Sequence, residues 1–211
     1  MGAPEYIVYV VDDDVRMREA VGELFASLDV PSVTFASVAE YVAYSKPELP
    51  ACLILDVKLP DINGLDFQQQ LGHTYHPPIV FITGHGDIPS SVRAMKAGAI
   101  DFLAKPFSQP DLIAAIEAAI ARDRHVRLER AELARLWQRY SSLTPRESQV
   151  LPLIVSGLLN KQAAAELGIS EVTLQIHRSR IMQKMAAPSF ADLVRMAGQL
   201  NITLHEHPTQ Q

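Results

Sequence analysis

Several apolar runs of the chain end in residues that can handle a phosphoryl group. Val10-Val11 leads into Asp12-Asp13-Asp14, Leu53-Ile54-Leu55 into Asp56, and Ile82 into Thr83, while Ile100–Leu103 is followed by Lys105-Pro106. Three carboxylates crowded together repel one another and raise at least one pKa unless a cation joins them. Hard oxygen ligands with few protein contacts suit Mg2+ (or Mn2+), which keeps several waters and accepts phosphate oxygens. A lysine placed opposite pairs with the same charge, and a threonine hydroxyl can hydrogen-bond a phosphoryl oxygen. Such parts position and neutralise a transferring phosphoryl group, which is most of what that chemistry asks of a protein. Singly, each has a plainer reading: a carboxylate after a strand is often a helix cap, and Lys-Pro is a turn. As a set, each closing a different element, they are hard to obtain by accident.

The elements that must position them form an α/β pattern. Short β-type runs at Tyr6–Val11, Ser32–Phe35, Cys52–Leu55, Ile79–Thr83 and Ile100–Leu103 alternate with amphipathic stretches, as in βα units around a parallel sheet. Val21, Leu24, Phe25 and Leu28 fall at i, i+3, i+4 and i+7 on one helical face, and Ser37 to Glu40 reads as a capping box. Ligands of such sheets lie beyond the carboxyl ends of the strands, where the polar residues are. After Pro110, Leu112, Ile116 and Ile120 keep helical spacing. From Arg122 to Tyr140 the chain is polar and rich in Ala, Arg, Glu and Leu, which favours a solvated helical linker over a flexible one.

Beyond Ser141-Ser142 the pattern is all-helical. Thr144-Pro145-Arg146-Glu147 combines a capping threonine, a proline at the first helical position and a glutamate at the third. Asn160 can cap the next helix with Gly168 ending it, Ser170 can cap a helix from Glu171 to about Met185, and Ser189 can start the last. Pro152 implies a kink or an early break in the first of these helices. A short helix, a tight turn at Gly168-Ile169-Ser170 and a second helix make a helix-turn-helix, whose second member fits the major groove. On that helix Leu174, His177, Ile181 and Met185 are spaced to face the core, and Gln175, Ile176, Arg178 and Ser179 lie opposite. The tail from His205 reads as disordered, which outweighs metal binding by His205 and His207.

Charge separates the halves. The chain of 211 residues has a net charge of −5, made of −9 over residues 1–121 and +4 over 122–211. An acidic half joined to a basic half suggests two domains with different partners, the basic one tolerating polyanions. No signal-peptide pattern or apolar stretch near the ~20 residues of a membrane span is present. The single cysteine, Cys52, reads as a buried strand residue and agrees with a reducing compartment. The cytoplasm is the expected location.

Residues 3–121 resemble the receiver domain of two-component response regulators. The resemblance implies a flavodoxin-like fold with a five-stranded parallel sheet, Asp12 and Asp13 as the acidic metal-binding pair, Asp56 as phosphoacceptor, and Lys58 as the residue whose backbone carbonyl completes the metal site. It further implies Thr83 as switch hydroxyl, Phe102 as switch aromatic, and Lys105 before a cis proline, Pro106. Leu59–Gly64 and Met95–Ala99 match the loop after the acceptor and the turn after the fourth helix; Asp14 is outside the family set and reads as a loop residue. Residues 143–200 resemble the four-helix LuxR-type DNA-binding domain through Leu143–Glu147, Gly157–Lys161, Leu167–Leu174, His177-Arg178 and Ile181–Met185. With Gly84-His85-Gly86-Asp87, the chain resembles the FixJ/NarL group, the FixJ branch most.

This comparison implies a receiver over 1–121, a helical linker over 122–140, a DNA-binding domain over 141–204 and a tail over 205–211. Gln175, Ile176 and Ser179 are expected nearest base edges, where Gln can pair with adenine and Ile can touch a thymine methyl. Thr173 joins the same surface, and Lys161, Arg178, Arg180 and Lys184 are expected at phosphates, which give affinity but little sequence information. Gln175 stands where many relatives carry lysine, so a different sequence preference is expected. The implied partners are a sensor histidine kinase, double-stranded promoter DNA, RNA polymerase and, on phosphorylation, a second copy; no membrane is implied, nor a turnover enzyme. Asp12-x-Asp14 also imitates the start of haloacid-dehalogenase-type phosphatases, but Arg16 stands where that motif wants threonine or valine, and residues 141–200 would be unexplained. A receiver-bearing DNA binder that works without phosphorylation is the other alternative, yet its pocket would usually have lost a member.

Overall fold

The computed structural model describes residues 5–72, 74–84 and 88–202. His85-Gly86-Asp87 and the tail with His205 and His207 lie outside them. The chain divides into two compact units, Met1–Arg127 and Leu128–Gln211.

In the first unit, strands β1 (Ile7–Val11), β2 (Ser32–Phe35), β3 (Ala51–Asp56), β4 (Ile79–Thr83) and β5 (Asp101–Ala104) alternate with helices α1 (Val15–Ser27), α2 (Val38–Ala43), α3 (Gly64–Leu71) and α4 (Ile88–Lys96), ahead of α5 (Gln109–Ser141). All strand pairs are parallel, in the order β2-β1-β3-β4-β5. The central strands read as unbroken apolar runs because both faces of the sheet are covered. Ile7, Tyr9, Val11, Leu53, Leu55 and Phe81 pack with residues of α2, α3 and α4. Val8, Val10, Cys52, Ile54, Val80 and Ile82 pack with Val21 and Phe25 of α1 and with Leu112, Ile116 and Ile120 of α5. Leu28, assigned to the apolar face of α1, instead ends that helix and is exposed. Ser37 caps α2, while Glu40 reaches back to the amide of Ala36.

Order along the sheet reverses between β1 and β3, whose carboxyl ends therefore open a crevice flanked by connections running in opposite directions. Asp12 follows one of these strands and Asp56 closes the other. The segment after Asp56 folds straight back: Gly64 donates its amide to Val57 O at 2.9 Å, and Asn63 caps α3 by accepting from the Leu65 amide. A Cβ on Gly64 would lie 2.4 Å from the carbonyl oxygen of Asp56.

The second unit contains the rest of α5 and helices α6 (Pro145–Val155), α7 (Asn160–Glu166), α8 (Glu171–Met185) and α9 (Phe190–Gln199). Leu136, Leu151, Ile154, Leu174, Ile181 and Leu193 lie in its core. Thr144 and Glu147 form a full capping box, with Pro145 in the first turn. The helix passes through Pro152 and stops at Val155, less than a turn later, the early break expected of a residue that cannot donate to the carbonyl four positions back. Ser170 and Ser189 cap α8 and α9. Asn160 opens α7 but does not cap it; Leu159 takes the cap position, its amide donating to Gln162 Oε1 at 2.9 Å. No helix among the described residues is long and apolar enough to cross a membrane.

Replacing Gly64 by alanine forces a methyl group against the backbone of Asp56. Overpacking of this kind costs roughly 1–3 kcal/mol. Urea unfolding followed by far-ultraviolet circular dichroism should show the loss; an unchanged midpoint would mean that the loop moves aside freely.

Candidate functional site

Asp12 is fully buried and Asp56 nearly so, whereas Asp13 is exposed. Carboxylate oxygens of the three lie within 4.8 Å of one another. Lys105 Nζ donates to Asp12 Oδ2 and to Asp56 Oδ2, each at 2.6 Å. The other oxygens are held by backbone: Asp12 Oδ1 accepts from the Asp14 amide at 2.9 Å, and Asp56 Oδ1 from the Lys58 amide at 3.0 Å. Arg18 donates to Asp12 O at 2.6 Å, and Asp14 caps α1 through the Arg16 amide. Asp14 thus has the helix-capping role that a lone carboxylate after a strand usually has.

Burial pushes the Asp12 carboxyl up, the bonds from Lys105 and the Asp14 amide pull it down, and nearby Asp56 pushes it up again; it ends above the ordinary range. Burial lowers Lys105, but its two carboxylate partners outweigh that and raise it, so the ammonium stays charged. Three carboxylates against one ammonium leave a local excess of about two negative charges, all on hard oxygens. That donor set fits a small divalent cation such as Mg2+.

Thr83 is buried at the end of β4, and its carbonyl accepts from the Lys105 amide at 2.7 Å. The Lys105–Pro106 peptide is cis. Phe102 pairs in register with Phe81, and their ring centroids are 6.1 Å apart. Lys58 is exposed and bridges to Asn63. The fold therefore gathers Asp12, Asp13, Asp56 and Lys105 directly and attaches Thr83 through backbone, with Phe102 partly buried on the adjoining edge strand.

In the second unit, α7, the turn at Gly168 and α8 make a helix-turn-helix. Leu174, Ile181 and Met185 of α8 are buried, while Gln175, Ile176, Ser179 and Arg180 are exposed, as is Lys161 on α7. Thr173 is half-buried, its hydroxyl 2.8 Å from Ser170 Oγ. His177 is half-buried, with Nδ1 shielded and without a hydrogen-bond partner among the described residues. Arg178 and Lys184, expected at phosphates, both have partners inside the domain. Arg178 donates to Asn160 Oδ1 at 2.8 Å and lies 4.6 Å over the Phe190 ring, joining α7, α8 and α9. Lys184 donates to Glu147 Oε2 at 2.7 Å and to Ser142 O at 3.1 Å. Arg178 stands four residues after Leu174 and three before Ile181, and Lys184 three after Ile181, so both flank the buried stripe of α8 and their long side chains reach polar groups of neighbouring elements.

Residues 8–117 match the response regulator receiver domain, and residues 141–197 match the luxR family of bacterial regulatory proteins. Nodulation protein W of Bradyrhizobium diazoefficiens is 48% identical over 97% of this chain and 91% of that protein. The transcriptional regulatory protein FixJ of the same organism is 39% identical over 92% and 97%. The chain belongs to the response regulators with a LuxR-type DNA-binding domain. A solved structure of the response regulator StyR superimposes with a TM-score of 0.78 at 45% identity, covering 93% of this chain and all of that one. The expected receiver fold and helical DNA-binding domain are thus both borne out.

Within this response regulator, Glu147 anchors α8 to α6. Burial pushes its carboxyl up, but bonds from Lys184 and Thr144 pull harder and hold it at about 2, below the ordinary 4.5. A depressed carboxylate contributes its full stability above the unfolded value and loses it as pH falls through the folded one. Unfolding followed at Trp137, the single tryptophan, should therefore show stability declining between pH 4.5 and about 2, more steeply for the native chain than for Glu147→Gln. Parallel curves would remove Glu147 from the acid response.

Proposed function

We propose that Asp56 accepts a phosphoryl group from a histidine of a sensor kinase, and that this event controls sequence-specific binding of promoter DNA in the cytoplasm. The observation that carries the reading is the meeting of Asp12, Asp13, Asp56 and Lys105 in the β1–β3 crevice. A carboxylate oxygen of Asp56 attacks phosphorus; the P–N bond to the kinase imidazole breaks, its electron pair stays on that nitrogen, and a P–O bond forms. Lys105, already between two carboxylates, turns one donor to the incoming phosphoryl oxygens. Mg2+ (or Mn2+), held by Asp12, Asp13, Asp56 and the Lys58 carbonyl, would supply further charge neutralisation when bound. This is catalysis by positioning and electrostatics, in a protein whose family role is regulation.

The phosphoryl oxygens attract the Thr83 hydroxyl, and the Phe102 ring turns inward beside it. The surface around α4 and β5 is reshaped, and the phosphorylated chain pairs with a second copy. Two DNA-binding domains then occupy a two-fold site, which compensates for a domain with only 6 basic residues against 5 acidic ones between Ser141 and Gln211. Gln175, Ile176 and Ser179 read base edges, Thr173 flanks them, and Lys161 and Arg180 meet phosphates. Arg178 and Lys184 set the pose of the reading helix from within. Contact with RNA polymerase follows for a chain that acts at promoters.

Sedimentation and promoter-fragment binding, with and without beryllofluoride, test the switch on the native chain and on Asp56→Asn. Beryllofluoride should dimerise the native chain and tighten its DNA binding, leaving Asp56→Asn unmoved. Equal behaviour of all four samples would show DNA binding independent of phosphorylation.

A further inference from the structure

The polar stretch after Ala121 reads as solvated, yet Asp123 within it is completely buried. On α5 it extends the buried stripe of Leu112, Ile116, Ala119 and Ile120 by one more turn, as a carboxylate. Three groups fill its oxygens. The amide of Ala51, which opens β3, donates at 2.8 Å. Tyr75, in the segment leading to β4, donates through its hydroxyl at 2.7 Å, and Arg127 donates through Nε at 2.9 Å. Arg127 also lies 5.1 Å over the Tyr75 ring and 3.5 Å from Glu48, while Arg124 stands 3.6 Å from Glu5. These partners all belong to the amino-terminal edge of the sheet, opposite the edge that carries Asp56 and Lys105.

An apolar residue at this position would bury equally well but would tolerate sliding and rotation of the helix. A carboxylate withdrawn from water is stable only where its acceptor positions are met by donors, so this one admits a single depth and rotation of α5. Asp123 is also the last buried side chain of α5 within the first unit. Every residue from Leu128 to Arg135 is exposed, and the next buried side chain of α5 is Leu136, in the core of the second unit. A short exposed helical stretch frays unless its ends are fixed. Asp123 fixes one end, and its Ala51 partner begins the strand that Asp56 terminates.

We propose that Asp123 is a positioning residue for signalling. It makes the first turns of the linker helix move as one body with the receiver, so that a change of receiver state is delivered to the DNA-binding unit through α5. This rests on the phosphorylation reading above. Without the fastening, α5 loosens beyond Ile120 and the second unit hangs on a pliant arm: phosphorylation still occurs, but its consequence is lost.

The test uses the full chain, native and with Asp123→Ala or Tyr75→Phe, and DNA selected by the native chain from a random-sequence pool. Three quantities are read: beryllofluoride affinity, amide hydrogen exchange, and the ratio of DNA dissociation constants without and with beryllofluoride. In Asp123→Ala, exchange over residues 121–135 should rise about tenfold while the sheet is unchanged. Beryllofluoride affinity should stay within about twofold, and a native DNA ratio of about tenfold should collapse towards one. Tyr75→Phe, which removes one donor, should fall between. A native ratio retained in Asp123→Ala would overturn the proposal even if exchange rises. Should Asp123→Ala fail to fold, Tyr75→Phe decides: a reduced ratio supports the proposal and a native one overturns it. If the native chain itself shows no response to beryllofluoride, the phosphorylation reading is what has failed.

Discussion

Asp12 and Asp56 share one ammonium, and much of the receiver is arranged so that they can. The two carboxylates reach the same crevice because β1 and β3 are neighbours at the point where the sheet order reverses. Asp12 is fully buried, which a carboxylate tolerates only with its oxygens occupied; the Asp14 amide and Lys105 occupy them. Lys105 is steadied in turn by its own amide on the carbonyl of Thr83. Gly64 lets the segment after Asp56 fold back against the acceptor's backbone without a side chain striking the Asp56 carbonyl. The remaining excess of negative charge, all on hard oxygens, fits a small divalent cation.

The second unit answers a different constraint. Helix α8 is seated in the core by Leu174, Ile181 and Met185, which leaves Gln175, Ile176 and Ser179 exposed on its other side. Polar side chains complete the work: Arg178 joins α8 to Asn160 and Phe190, and Lys184 joins it to Glu147 in the capping box of α6. Both cations thus brace the helix from its flanks.

The sequence was most legible where a residue's role follows from the element it ends. Asp12, Asp56, Thr83 and Lys105 stand at strand ends, and alternating apolar runs marked all five strands to within a residue. The caps at Thr144, Ser170 and Ser189 were equally plain, because side chain and amide are neighbours in the chain. Roles that depend on distant partners were hidden. Asp123 looks like any charge on a solvated helix until Ala51 and Tyr75 are brought to it, 72 and 48 residues away in the chain. Asn160 looks like a cap until Arg178 takes its carboxamide. Asp14, a loop residue by its place after β1, is the cap of α1, a role that shows only once the Arg16 amide is seen at its carboxylate.

The role proposed for Asp56 is that of phosphoryl acceptor. Incubating the full chain with phosphoramidate, a small P–N donor, and locating any added phosphoryl group by peptide mass spectrometry tests it without a kinase or a promoter. Modification of Asp56 that requires Mg2+, with Lys105→Ala strongly reduced and Asp56→Asn unmodified, is the expected result. A phosphoryl group on Asp12 or Asp13, or modification of Asp56 indifferent to both Mg2+ and Lys105, would contradict the assignment of roles within the crevice.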